Sequence, residues 1–165
     1  IANGGTAATT LAAAGLASAP AFFAYSNNGQ GVADNTTTKI AINTEIFDSG
    51  DYDASSNYRF TPTTAGKYFV YGAIWIQGNA ATVARQTTSQ IYKNGAEVAY
   101  CQNNFNNSQV QSHTAPLSIV LDMNGSSDYA ELFGYYDSSD GSSGTLEGHS
   151  TIIKTYFGAY KIIGA

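Results

Sequence analysis

The stretch from Phe60 to Gln77, FTPTTAGKYFVYGAIWIQ, alternates from Tyr68 onward without turning a wet side outward. One set of alternating side chains is Tyr68, Val70, Gly72, Ile74 and Ile76; the other is Phe69, Tyr71, Ala73, Trp75 and Gln77. A half-buried strand shows one apolar and one polar face. Here both faces are apolar or aromatic until Gln77, so the pattern predicts a strand with two dry surfaces. The last segment, STIIKTYFGAYKIIGA, repeats it. Ile152, Tyr156, Tyr160 and Ile162 fall on one side, and Ile153, Phe157, Ala159 and Ile163 on the other. One dry surface is expected to be a sandwich core. The second is expected at a contact between subunits, which removes an otherwise large exposed patch. A thicker core roofed by loops is the other reading of the same pattern.

The remaining runs are short and punctuated by turn residues. AFFAYS is followed by NNGQG. TKIAINTEIF places Ile40, Ile42, Thr44 and Ile46 on one side and Lys39, Asn43 and Glu45 on the other. DSGDYDASSN reads as a turn-rich loop. In TSQIYKNGAEVAYC, Asn94-Gly95 between two apolar runs predicts a hairpin. APLSIVLDM and YAELFGYY are further strands, and DSSDGSSG is a long polar loop. With about eight to ten strands and no helix over 21–165, the expected class is all-β, a two-sheet antiparallel sandwich. Residues 1–19 differ: they carry no charge and no aromatic, and are mostly Ala, Gly and Thr. They read as a stalk or linker, with a helical turn at Leu11–Ala14 ended by Gly15, and the folded domain as 20–165.

Composition narrows the setting. Charged residues make up only 12%, against roughly 25% in an average soluble domain. Asn, Ser, Thr, Gly and Gln replace them, and Tyr occurs 12 times. That profile suits an extracellular or virion surface. The net charge is -5 and the seven Lys and Arg residues are scattered singly, which excludes a nucleic-acid footprint. No apolar run is long enough to cross a membrane, so no insertion is expected. No leader with a basic start is visible and the first residue is Ile, so the chain is expected to be a processed product or the ordered end of something longer. Cys101, without a second cysteine, is expected as a small packing residue.

Candidate chemistry is thin. His113 and His149 sit in no nucleophile elbow. Glu45, Glu97, Glu131 and Glu147 are scattered and read as solubilising carboxylates, not as a hydrolase pair. No catalytic residue is assigned and no enzyme is expected. One Cys and two distant His give no zinc site. Asp48, Asp51 and Asp53 in one loop, and Asp137 and Asp140 in another, offer oxygen ligands suited to calcium. Turn aspartates capping backbone groups are the plainer reading. The loops CQNNFNNSQVQS and DSSDGSSGTLEG, with Asn103, Asn104, Phe105, Tyr135 and Tyr136, place amides and hydroxyls beside aromatics, a combination that can contact sugars.

Four phrases point to a family. They are PAFFAYS; Phe60, five residues, Gly66, one residue, Tyr68; YDASSNYRFTP; and YFGAYKI. In this order they resemble the globular head of complement component 1q, of the tumour-necrosis-factor-like jelly-roll superfamily, over residues 20–163. Val70 and Gly72 depart from the family's aromatics, and one extra residue lies between Tyr52 and Phe60. The resemblance implies a two-sheet jelly roll that forms a homotrimer. Phe22, Tyr25, Phe69, Tyr71, Trp75, Tyr156 and Phe157 are then the expected interface. Some such heads bind calcium; no other cofactor is implied.

NGGTAATT is similar to segments of bacteriophage tail fibres, and YRFTPTTAGKYFVY and IYKNG resemble structural proteins of marine phages. Together these imply a non-enzymatic distal module of a virion fibre or appendage. The stalk would join it to the rest of the particle, and the trimer would attach to a host-surface glycan or receptor. Two alternatives stay open. One is a capsid-decorating or fibre-capping trimerisation domain without receptor binding. The other is a secreted cellular adhesion or filament subunit.

Overall fold

The computed structural model describes residues 20–163; the expected stalk, 1–19, lies outside them. Thirteen strands follow one another: β1 (Ala21–Tyr25), β2 (Gln30–Val32), β3 (Thr36–Lys39), β4 (Thr44–Asp48), β5 (Tyr52–Asp53), β6 (Arg59–Phe60), β7 (Gly66–Gly78), β8 (Ala84–Lys93), β9 (Ala96–Asn104), β10 (Ser112–Met123), β11 (Ala130–Ser138), β12 (Gly144–Leu146) and β13 (Tyr156–Lys161). β2, β3, β5, β6 and β12 are only two to four residues long. The eight longer strands are the ones that periodicity could see.

All pairings are antiparallel. In the first sheet β7 is the spine: β10 lines one edge, while β13 and β12 share the other end to end. β1 and β4 extend that sheet beyond β13, and β2 beyond β12. The second sheet runs β5-β6-β11-β8-β9, with β3 on β11 beyond the end of β6. The β8–β9 hairpin turns at Asn94-Gly95, both at positive φ (53° and 79°). That is the geometry for which Asn-Gly is selected in two-residue turns.

Two expectations need correcting. Ile40, Ile42 and Ile46 do not share one strand. The chain leaves the second sheet after β3 and enters the first at β4, so Ile40 and Ile42 are fully buried whereas Ile46 is exposed. The final strand is also shorter than its pattern. Ile152 and Ile153 sit in an exposed loop, and pairing with β7 starts only at Tyr156.

The core lies between the sheets. Its aromatic end stacks Phe22 on Tyr52 (4.3 Å between centroids) and Phe60 (4.8 Å), with Phe157 edge-on at 5.2 Å. Ile40, Ile74, Ile76, Ile91, Leu132 and Leu146 fill the middle. Tyr52 is tolerated there because its hydroxyl donates to the Ile42 carbonyl (2.8 Å). Gly72 explains the family departure: a Cβ there would stand 3.0 Å from both Leu132 Cδ1 and the Tyr156 carbonyl. Its neighbours already fill the space that a larger residue would take.

Candidate binding surfaces

The outward side of the first sheet is aromatic. Cross-strand rows read Val120–Phe69–Tyr160 on β10, β7 and β13, and Ser118–Tyr71–Gly158–Phe23–Phe47 from β10 to β4. A third row reads Pro116–Ala73–Tyr156–Tyr25. Tyr71 is the hub: Phe69, Phe23, Tyr156 and Tyr160 have ring centroids 5.7, 6.2, 6.3 and 6.5 Å from its own. Gly158 makes this possible, because a side chain there would collide with the Tyr71 ring. Burial among the rings raises the Tyr71 pKa, helped by the charges Tyr156 and Tyr160 would carry.

The face is only half-covered in one chain. Phe47, Val120 and Tyr160 are 52%, 48% and 43% exposed. Ion pairs bracket it: Lys67 with Asp122 (2.6 Å) at one end, and Lys154 with Glu147 (3.3 Å) at the other, where the Lys154 ammonium also covers the Trp75 ring. An apolar centre with a charged rim is the anatomy of a subunit contact.

Of the seven residues expected at an interface, Tyr25, Phe69, Tyr71, Trp75 and Tyr156 lie on this outward side, partly buried. Phe22 and Phe157 do not. Both are fully buried and point into the sandwich, so they have no surface to offer a neighbour. Adjacent residues of a strand face opposite ways, and it is Phe23 and Tyr156 that point out.

The outward side of the second sheet is polar. Register places Tyr135, Thr88 and Gln102 in one row across β11, β8 and β9, and Phe133, Gln90 and Tyr100 in the next. Between them lies a groove of about 190 Å³, bounded also by Gln86 and Glu97. Thr88, short and only 4% exposed, forms its floor, and Tyr100, 62% exposed, stands as a wall. The Tyr135 hydroxyl donates to Asn35 Oδ1 (2.6 Å), which holds that ring in place. Gln90 donates to Glu97, while its own carbonyl oxygen is buried without a donor.

The residues expected in ligand-contact loops are dispersed, and all but Phe105 lie on strands, Asn103 and Asn104 on β9 and Tyr135 and Tyr136 on β11. Tyr135 lines the groove. Tyr136 is fully buried, its hydroxyl without a partner, and is corrected to a core residue. Asn104 caps the turn at Asn106, Asn103 lies beside Cys101, and Phe105 packs on His113 at 5.1 Å. Burial lowers the His113 pKa. His149 Nδ1 accepts from the Thr151 and Ile152 amides. The strand face was missed because Gln86, Thr88 and Gln90 alternate like any wetted strand; the signal lay in their register with Tyr100 and Tyr135.

The acidic loops are occupied by the chain's own donors. Asp48 accepts from the Asp51 and Tyr52 amides, and Asp53 from Ser55, Ser56 and Asn57. Those bonds hold the Asp53 carboxyl far below the usual range. Asp51 accepts from Ser49 and Thr63, Asp137 pairs with Arg85 (2.6 Å), and Asp140 accepts from Ser142. Among the described residues no three His, Cys, Asp or Glu side chains converge as a metal site.

No protein-family profile and no curated protein matches the chain. Solved structures do. Murine APRIL at pH 5.0 superposes with a TM-score of 0.61 at 11% identity, over 86% of this chain and 98% of that one. Eiger TNF from S. frugiperda gives 0.59 at 11% identity, over 88% and 93%. The fold is a tumour-necrosis-factor-like jelly roll.

Proposed function

We propose that the chain is a non-enzymatic attachment module that works as a homotrimer on an extracellular or virion surface. The observation that carries the trimer is the five-ring array centred on Tyr71, half-covered in one chain and rimmed by ion pairs. Monomeric proteins rarely leave so contiguous an apolar surface in water. A second copy of the same chain removes it, and the jelly-roll family supplies the precedent for three. Placement on a phage fibre rests on the likeness of NGGTAATT and YRFTPTTAGKYFVY to fibre and structural segments.

In this arrangement the first sheet faces the other protomers and the second faces outward, free to meet a host surface. The test is retention of the labelled, intact chain on a panel of bacterial cells. Selective retention by some strains is expected. A trimer retained by none contradicts attachment and favours the capping or decorating role.

A further inference from the structure

We propose that the groove across β8, β9 and β11 recognises a neutral pyranose residue of a surface glycan. This deepens the attachment reading and rests on it. Size comes first. At about 190 Å³ the groove is smaller than the roughly 300–1,000 Å³ typical of drug-sized ligands, and is sized for a single sugar ring. Its walls are β11 and β9, about 10 Å apart with β8 between them, carrying Tyr135 and Tyr100. Aromatic faces pack against the C–H side of a sugar ring and shed water in doing so.

The polar groups suit hydroxyls. Gln86, Gln90 and Gln102 each carry a donor and an acceptor in one plane, so a pair of neighbouring hydroxyls can donate to one amide and accept from it. The Gln90 carbonyl oxygen is buried without a donor, so it reaches the groove only when the side chain turns. A hydroxyl that draws the amide away from Glu97 would supply that donor.

Charge selects the class. The nearby cations are already paired, Arg85 with Asp137 (2.6 Å) and Lys39 with Glu131 (2.5 Å). The one ionised group lining the groove is Glu97, an acceptor. A hydroxyl donor is welcome there, whereas a carboxylate or sulfate is repelled. The class is therefore a neutral hexose, not a sialic or uronic acid. One such site is weak, and three on a trimer gain from multivalency.

The test titrates the intact chain with the methyl glycosides of galactose, glucose and mannose, and with methyl glucuronide as the anionic control, followed by amide NMR. At least one neutral glycoside is expected to shift β8, β9 and β11 amides. Tyr100→Ala, an exposed position, should weaken it about tenfold, and Ile152→Ala, in the exposed loop before β13 of the first sheet, should not. Shifts confined to other surfaces, preference for methyl glucuronide, or an unaffected Tyr100→Ala would overturn the proposal. Cell retention separates the two readings. Retention unchanged in Tyr100→Ala keeps attachment and rejects the groove. Glycoside binding in the groove without retention keeps the groove and rejects attachment.

Discussion

Tyr71 lies across Gly158: the two are cross-strand partners, and a Cβ on Gly158 would stand 2.6 Å from the Tyr71 ring. Phe23 closes the other side at 3.1 Å. Gly158→Ala must therefore lift a ring out of the array. We expect a stability loss of about 1–3 kcal/mol, as for other overpacked sites, together with weaker self-association. Thermal unfolding and light scattering on the same variant check both parts.

Tyr71→Ala leaves the core untouched and removes the hub of the outward face. Loss of a central aromatic anchor costs at least about 2 kcal/mol of assembly energy, roughly thirtyfold in dissociation constant. Sedimentation across a dilution series should show it, with an unchanged far-ultraviolet circular dichroism spectrum.

Phe22 and Phe23 are neighbours with opposite duties. Phe22→Ala opens a cavity between Tyr52, Phe60 and Phe157 and should cost about 3–5 kcal/mol in urea unfolding. Phe23→Ala should cost less stability and weaken association instead. Equal stability losses at both positions would contradict the assignment of faces.

Buried tyrosines give the fold an alkaline limit. Burial raises the Tyr52, Tyr68 and Tyr136 pKa values, that of Tyr68 from 10.0 to about 12. A pKa raised on folding means the folded state prefers the neutral phenol. Their contribution is then complete below pH 10 and falls as pH rises through the folded value. Stability measured by urea unfolding should drop from pH 10 upward. Tyr68→Phe should flatten that drop while losing about 1 kcal/mol at neutral pH with the bond to the Thr64 carbonyl (2.7 Å).

Periodicity carried the strand from Tyr68 to Gln77 well, because both of its faces are apolar and the inward one is sealed in the core, so the register cannot slip by one residue. The Asn94-Gly95 turn was equally legible, since positive φ at two successive residues selects few sequences. Other features needed information that one chain segment does not hold. Alternation through Ile40, Ile42 and Ile46 stays in phase while the chain changes sheets, so burial of one Ile says nothing of the next. The pairs Phe22/Phe23 and Tyr156/Phe157 must split between faces, but the register with β7 decides which member turns inward. The groove depends on β11 lying beside β8 although β9 and β10 intervene in sequence. Its polar strand faces look ordinary until that register brings the two tyrosines to either side of Thr88.

The most direct measurement of the central claim is the solution mass of the intact chain by light scattering at micromolar concentration. The account predicts three times the 17.3 kDa of one chain, falling toward a single chain in Tyr71→Ala. A wild-type mass of one chain would contradict it, leaving the aromatic face of the first sheet without a partner of its own kind.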